Sequence, residues 1–274
     1  MRWNEVFSNE TAHEVVFSQS LNSVAQTVDI SIVASTADIR PKLIEDILKF
    51  SMVQYWILEK VLAQSEPGLD KIQACIKDAN RAWVNTPRRM MPWHQLIKAQ
   101  LGLKPPLTLK VKGGLWGLAC NAVHFLDLLS WWTGETLQEV NTDRLNSSWF
   151  ESKRLGNYEV AGTLAAQFSG GSRALLTATA GSADSRVQVS DGKLTWEINE
   201  ARGVASRSDG DSITGRLTYQ SEMTADLVEG ILMSGRCDLP TLVESTALHR
   251  VFIRSMQEHW KGAGNSAATC VPIT

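Results

Sequence analysis

No glycine occurs ahead of Gly68 in this chain. A dinucleotide-binding fold ordinarily opens with a strand and a Gly-x-Gly-x-x-Gly turn, whose backbone amides hold a pyrophosphate at a helix N-terminus. A dinucleotide-binding unit here is therefore expected to lack its first strand, its phosphate loop and its first helix. Cysteine is scarce too. Cys75, Cys120, Cys237 and Cys270 stand far apart with no Cys-x-x-Cys pair. That spacing points away from a zinc site or a disulfide framework and fits a reducing cytoplasm. There is no basic run, and the net charge is −2 with 20% charged residues, so nucleic-acid binding is not expected. Apolar runs are short or broken by His, Asp and Asn, which leaves no candidate for a membrane span. The opening Met1 to Glu10 has no apolar secretory core, so a cytoplasmic location is expected. Tyrosine is rare where tryptophan is not, three against ten. Most of these indoles belong in a core, but a Trp face also stacks on a sugar, which tilts the reading toward a carbohydrate ligand.

What is present centres on Trp116 to Gly134. At 3.6 residues per turn, Leu118, Val123, Phe125, Leu126, Leu129 and Trp132 give this stretch apolar surface on most sides, predicting a buried helix stopped by Gly134. Asn121, His124 and Asp127 recur every three residues and share one face of it. Three polar groups in an apolar helix each need a partner. Aligned in this way, they mark a candidate active-site helix.

The 274 residues suffice for one large domain or two ordinary ones. Residues 1 to 13 are polar and carry little pattern, a short helix or a loose arm. Val15 to Phe17 is a short strand candidate, and Ser20 to Gln26 allows one or two helical turns. Val28 to Ala34 is a β-branched, continuous strand of the kind buried in a parallel sheet. Asp38 can cap the helix that follows, in which Ile39, Leu43, Ile47 and Phe50 recur at three- or four-residue intervals, the mark of an amphipathic segment packed on a sheet. Strand Val53 to Leu58, helix Pro67 to Ala79 and strand Arg81 to Asn85 complete βαβ units around a parallel sheet. Ligands sit at the carboxyl ends of such strands, a rule that places Ser35, Lys60 and Arg88 near one crevice. A helix from Trp93 to Leu101 and a strand from Leu107 to Val111 come next. Beyond Gly134 the chain turns β-rich, with hairpins at Gly170-Gly171 and Asp191-Gly192 arguing for an antiparallel sheet. Two helices follow, near Glu222 to Met233 and Thr241 to Trp260. The fold class is thus α/β plus α+β: residues 1–90 a truncated Rossmann-like unit, residues 91–274 a unit with an open, mainly antiparallel sheet.

Three segments carry a family resemblance. Glu59-Lys60-Val61-Leu62 is similar to the Glu-Lys-Pro-Leu of the Gfo/Idh/MocA sugar oxidoreductases. Asn85 to Pro92 is similar to their Arg-Arg-x-x-Pro segment, and Gly117 to Gly134 to their Gly-x-x-x-Asp-x-Gly-x-His-x-x-Asp helix. Cys120 to Asp127 and the ending Pro272-Ile-Thr resemble a branch met in surface-polysaccharide gene clusters. The match runs from about residue 15 to the end and implies a Rossmann unit joined to an open sheet. Departures accompany it. The glycine loop is missing; Val61 replaces proline, so a trans peptide bond is expected after Lys60; Cys120 stands at the usual aspartate and Ala122 at the usual glycine.

The resemblance implies an NAD- or NADP-dependent oxidoreductase acting on a sugar or nucleotide sugar. Hydride chemistry comes from the cofactor, while the protein must take a hydroxyl proton. His124 is the implied general base, Lys60 would bond the same oxygen and favour the alkoxide, and Asn121 would orient the imidazole or a sugar hydroxyl. Ser35, Glu59, Lys60 and Arg89 are the implied cofactor contacts; Arg88, Trp116 and Asp127 are the substrate candidates. Core packing is the competing role for Trp93 and Trp116, and capping or ion pairing for Asp127. On an extended chain Arg88 and Arg89 would point oppositely, so only one would meet a ligand. A homo-oligomer paired through the second sheet is implied, and no metal. Two other readings remain: a catalytically silent homologue that binds sugar or serves as a structural partner, and a nicotinamide-assisted glycosidase on the same fold.

Overall fold

The computed structural model describes residues 16–181 and 185–274. The suggested arm over residues 1–13 lies outside the described residues, as does Val15. Val16 and Phe17, the rest of that strand candidate, are exposed and unpaired in regular structure. The helical turns suggested over Ser20 to Gln26 reduce to one 3-10 turn, Leu21–Ser23, capped by the Ser20 side chain.

The first sheet has three parallel strands in sequential order: β1 (Thr27–Val33), β2 (Met52–Glu59) and β3 (Ala82–Asn85). Helix α1 (Arg40–Phe50) connects the first pair and α2 (Glu66–Cys75) the second. The register sets Ile32 beside Ile57 and Leu58 beside Val84. Ile44, Leu69 and Ile72 from the two helices cover one face, packing on Val33, Leu58 and Val84. Asp38 does not cap α1, whose N-cap is Ile39 with no side-chain bond. Helix α2 starts on Ser65, whose hydroxyl accepts from the Gly68 amide. It ends four residues before the expected Ala79, because Ile76 leaves helical geometry and Asp78 caps a separate 3-10 turn over Ala79–Arg81. Among the described residues, no strand pairs with the outer edge of β1.

After a 3-10 turn at Pro87–Met90 come α3 (Pro92–Ala99), β4 (Thr108–Gly113) and α4 (Leu118–Thr133). Helix α4 is the predicted central helix, bounded by left-handed glycines at Gly117 and Gly134. Seven more strands follow: β5 (Leu137–Glu151), β6 (Tyr158–Phe168), β7 (Arg173–Ala178), β8 (Arg186–Ser190), β9 (Thr195–Asn199), β10 (Val204–Arg207) and β11 (Ser212–Thr214). With β4 they form one sheet ordered β11-β10-β9-β8-β4-β7-β6-β5, antiparallel apart from the β4–β7 pair. Both predicted hairpins are present. Strand β5 was not readable from pattern. Its register shifts at three places against β6 and its exposed side chains follow no two-residue alternation. At one of these shifts Gly162 has φ +114°, and a Cβ there would lie 2.5 Å from the Arg144 carbonyl oxygen.

Helix α4 lies on the inner face of this sheet, where Leu126, Leu129, Leu164, Leu176, Val187 and Trp196 join one core. The last two helices, α5 (Gln220–Ser234) and α6 (Leu242–Gly262), follow the β-rich half in sequence but return to the parallel sheet. Leu227 and Ile231 of α5 cover its second face against Ile57 and Trp83. Helix α6 spans both cores, with Leu242 in the first and Phe252, Ile253 and Met256 in the second. The tail then ties the parts together: Val271 N donates to Gln64 O, Tyr158 N to Pro272 O, and Ala37 N to Thr274 Oγ1 at 2.8 Å. Among the described residues no helix is long and apolar enough to cross a membrane.

Candidate functional site

A cavity of about 860 Å³ opens where the carboxyl ends of β1 and β2 face the start of α4 and the turn between β5 and β6. Ser35, Glu59, Lys60, Trp116 and Asn121, all predicted site residues, line it. Lys60 crosses from the first sheet to α4. Its ammonium donates to Asn121 Oδ1 at 3.0 Å, to Cys120 O at 3.2 Å and to Cys120 Sγ at 3.3 Å. Three donors thus meet three acceptors, of which the thiol is the weakest and the one a ligand oxygen can replace. The Lys60–Val61 bond is cis, against the expectation from valine in place of proline. The Val61 side chain is fully buried and its carbonyl accepts from the Arg40 guanidinium.

Asn121 is fixed at both ends, since Nδ2 donates to Trp116 O at 2.9 Å. It orients Lys60 and makes no bond to the imidazole, one of the two partners expected for it beside a sugar hydroxyl. The start of α4 is held by Glu159, which accepts from Ala119 N at 2.8 Å and Cys120 N at 3.2 Å. Gly117 permits this closeness at φ +76°; a Cβ there would meet Asn121 Nδ2 at 3.0 Å and Glu159 Oε1 at 3.3 Å. Burial pushes both the Glu159 carboxyl and the Cys120 thiol above their ordinary values. Glu59 accepts from Asn85 Nδ2 at 2.6 Å and Gln220 Nε2 at 2.7 Å. Trp116 is tied by Nε1 to Thr177 O and meets Phe125 edge-on, while the other candidate platform, Trp93, is buried in the core.

Four predicted residues are placed differently. His124 is not among the residues lining the cavity, and its Nδ1 is sealed without a partner. Burial, with Arg88 and Lys60 adding positive field, drives its pKa well below the ordinary value, so the ring is neutral at pH 7. Arg88 and Arg89 stand on a 3-10 turn, not an extended chain, and both are consumed by carboxylates. Arg88 forks onto Glu200 at 2.8 Å twice and lies over the Phe125 ring. Against the upward push of burial, this pairing and a bond from His94 hold Glu200 below the usual carboxylate range. Arg89 forks onto Asp127 at 2.9 and 2.6 Å in the interior. Burial raises the Asp127 carboxyl, and the two guanidinium bonds oppose it. One of the two arginines was expected to meet cofactor or substrate, and Asp127 either substrate or an ion-pair partner; the ion pair is what Asp127 makes, and each fork takes up two of its guanidinium's donors.

Sequence reasoning missed Glu159, Gln220, Thr274, the end of β5 at Phe150 and Glu151, and the β5–β6 turn, of which Ser152 to Arg154 line the cavity. Only Lys153-Arg154 ahead of Gly156 carried any signal, as cations beside a turn glycine. Among the described residues no group of three or more His, Cys, Asp or Glu could hold a metal ion.

The architecture is that of the Gfo/Idh/MocA-type oxidoreductases, a parallel-sheet unit followed by an open, mainly antiparallel sheet. Among solved structures, the chain resembles UDP-N-acetylglucosamine 3-dehydrogenase from Acidithiobacillus ferrooxidans at 14% identity and TM-score 0.61, covering 86% of this chain and 78% of that one. It also resembles an aldose-aldose oxidoreductase from Caulobacter crescentus (17%, 0.62, covering 87% and 78%) and a super-repressor mutant of Gal80p from Saccharomyces cerevisiae (14%, 0.64, covering 89% and 81%). At these identities the likeness is one of fold. No protein-family model and no curated protein matches the sequence.

Proposed function

We propose that the cavity binds a sugar or nucleotide sugar and that the chain acts on it as an oxidoreductase, with NAD or NADP the cofactor that the fold implies. The carrying observation is Lys60, fixed by Asn121 and Cys120 at the strand ends where open α/β sheets bind ligands. Two solved neighbours whose names specify sugar substrates support the substrate class.

Within this reading, a sugar hydroxyl displaces the Cys120 thiol from Lys60 and takes an ammonium N–H. The positive charge then favours the alkoxide as the hydroxyl proton leaves. Asn121 holds Lys60 in line, and Trp116 offers part of its ring to the sugar. His124 remains the proposed proton acceptor, its neutral ring being in the right state to take a proton. Arg88, Arg89 and Asp127 act by fixing the turn after β3 against α4 and β9.

The residues present do not fit a dinucleotide's pyrophosphate. The turn after β1 is Ala34-Ser35-Thr36, without glycine, and the edge of β1 where a phosphate-loop strand would pair is open among the described residues. The outer face of the eight-stranded sheet, with half-buried Thr163, Ala165, Leu175 and Thr177, supports pairing of two copies there.

Lys60→Met tests the site. Calorimetric titration of glucose and UDP-glucose should lose at least tenfold in affinity, with the melting temperature little changed. Equal binding by the variant would remove Lys60 from the site. Sugar binding without hydride transfer to either nicotinamide would leave the silent homologue.

A further inference from the structure

Two cations on the rim of the cavity, Lys153 and Arg154, have no carboxylate partner among the described residues. Between β5 and β6 the backbone closes on itself: Ser152 N donates to Asn157 O at 2.8 Å and Asn157 N to Arg154 O at 3.0 Å. Ser152 Oγ accepts from Arg154 N and donates to Arg154 O, each at 3.1 Å. This knot fixes where Lys153 and Arg154 leave the chain. Their charged ends find no hydrogen-bond or ion-pair partner among the described residues, whereas Arg88, Arg89, Arg216 and Arg254 all meet carboxylates.

Arg154 is exposed and lines the cavity, and its charge is felt both at Cys120 and at Arg40. Arg40 is 1% exposed beneath Ser35 and bonds only to the carbonyls of Ser35, Val61 and Leu62, with Nε unpartnered. The charges of Glu59 and Asp38 reach it and partly balance its own. Of the wall's acids, Glu59 accepts from two side-chain amides and Glu159 from two backbone amides, which fix the carboxylates away from the turn's cations without cancelling their charge. Glu151 is the remaining rim acid. At about 860 Å³ the space lies toward the upper end of the roughly 300–1,000 Å³ usual for ligand pockets, more than one pyranose needs.

We propose that the β5–β6 turn is an anion subsite in which Lys153 and Arg154 hold the phosphate or diphosphate of a phosphorylated sugar, whose pyranose reaches Lys60 and Asn121. The proposal rests on the sugar-site reading above. A guanidinium matches two phosphate oxygens at once, and the neighbouring ammonium adds a point charge. A sugar 1-phosphate and a nucleoside diphosphate sugar share this chemistry.

The test is titration of the 274-residue chain with glucose, glucose 1-phosphate, UDP-glucose, UDP and NAD. At least one phosphorylated sugar should bind tenfold or more tighter than glucose, with affinity falling as salt rises. A Lys153→Gln, Arg154→Gln double variant should lose tenfold to a hundredfold for that ligand and keep its affinity for glucose. Both positions are exposed, so its melting temperature should match wild type. Glu151→Gln should tighten the same ligand. Preference for glucose 1-phosphate assigns a monophosphate; competition by UDP, with glucose 1-phosphate no better than glucose, assigns the diphosphate. The proposal is overturned if no phosphorylated sugar exceeds glucose, if the double variant binds them as wild type does, or if it weakens NAD alone. Lys60→Met separates the two readings: unchanged sugar binding there, with the double variant still impaired for phosphorylated sugars, sinks the sugar site and keeps the anion subsite.

Discussion

Removing the Asp127 carboxylate separates a structural role from a ligand-binding one. Arg89 and Asp127 are joined by two bonds, and their side chains are 9% and 5% exposed. Asp127→Asn leaves the guanidinium in the interior with one remaining acid, Glu244, 3.9 Å away and itself 56% exposed. Breaking a buried pair from one side costs about 3–5 kcal/mol, because the surviving charge stays desolvated. At roughly 2–4 °C per kcal/mol for a chain of this size, the melting temperature should fall by about 6–20 °C. Replacing both partners, Arg89→Met with Asp127→Leu, should recover most of the loss, since no charge is then stranded. Urea unfolding of wild type and both variants, together with sugar titration, checks this. If Asp127→Asn unfolds within about 1 kcal/mol of wild type yet abolishes sugar binding, Asp127 touches the ligand and the pairing argument is wrong.

Three further outcomes are expected. Burial lowers the His249 pKa to about 4. Below pH 6.5 the unfolded chain takes up a proton that the folded one refuses, so stability present above pH 6.5 is lost toward pH 4, by up to about 3 kcal/mol. Urea midpoints between pH 7.5 and 4.5 should fall more steeply for wild type than for His249→Gln; parallel slopes would contradict the assignment. Gly117→Ala meets both a left-handed backbone and a crowded Cβ, so it should cost about 1–2 kcal/mol and impair sugar binding by displacing Asn121 from Lys60. Binding like wild type would show that this junction yields. The chain should bind NAD(H) and NADP(H) no better than about millimolar, because two missing charge-assisted bonds of roughly 1.5–3 kcal/mol each are worth about two to four powers of ten. A micromolar constant by nicotinamide fluorescence would mean another segment replaces the glycine turn.

What the sequence determined by itself was whatever repeats locally. The β-branched run before Ala34, the three- and four-residue spacing of α1 and α4, and the Gly170-Gly171 and Asp191-Gly192 turns each encode an element within a few residues. Lys60 was legible because strand ends of a parallel sheet converge on one crevice whatever the rest of the chain does. Tertiary structure alone decided which charges stay free. Arg88 and Arg89 are neighbours on one turn, yet their carboxylates come from Glu200, 112 residues on, and Asp127, 38 residues on. Strand β5 and the cationic turn after it escaped for a related reason: β5 is set by bulged pairing with β6, and Lys153 and Arg154 gain meaning only where that pairing points them at α4. A side chain's type fixes which bonds it can make, but its partner is chosen by a fold that joins distant segments, and no local pattern carries that choice.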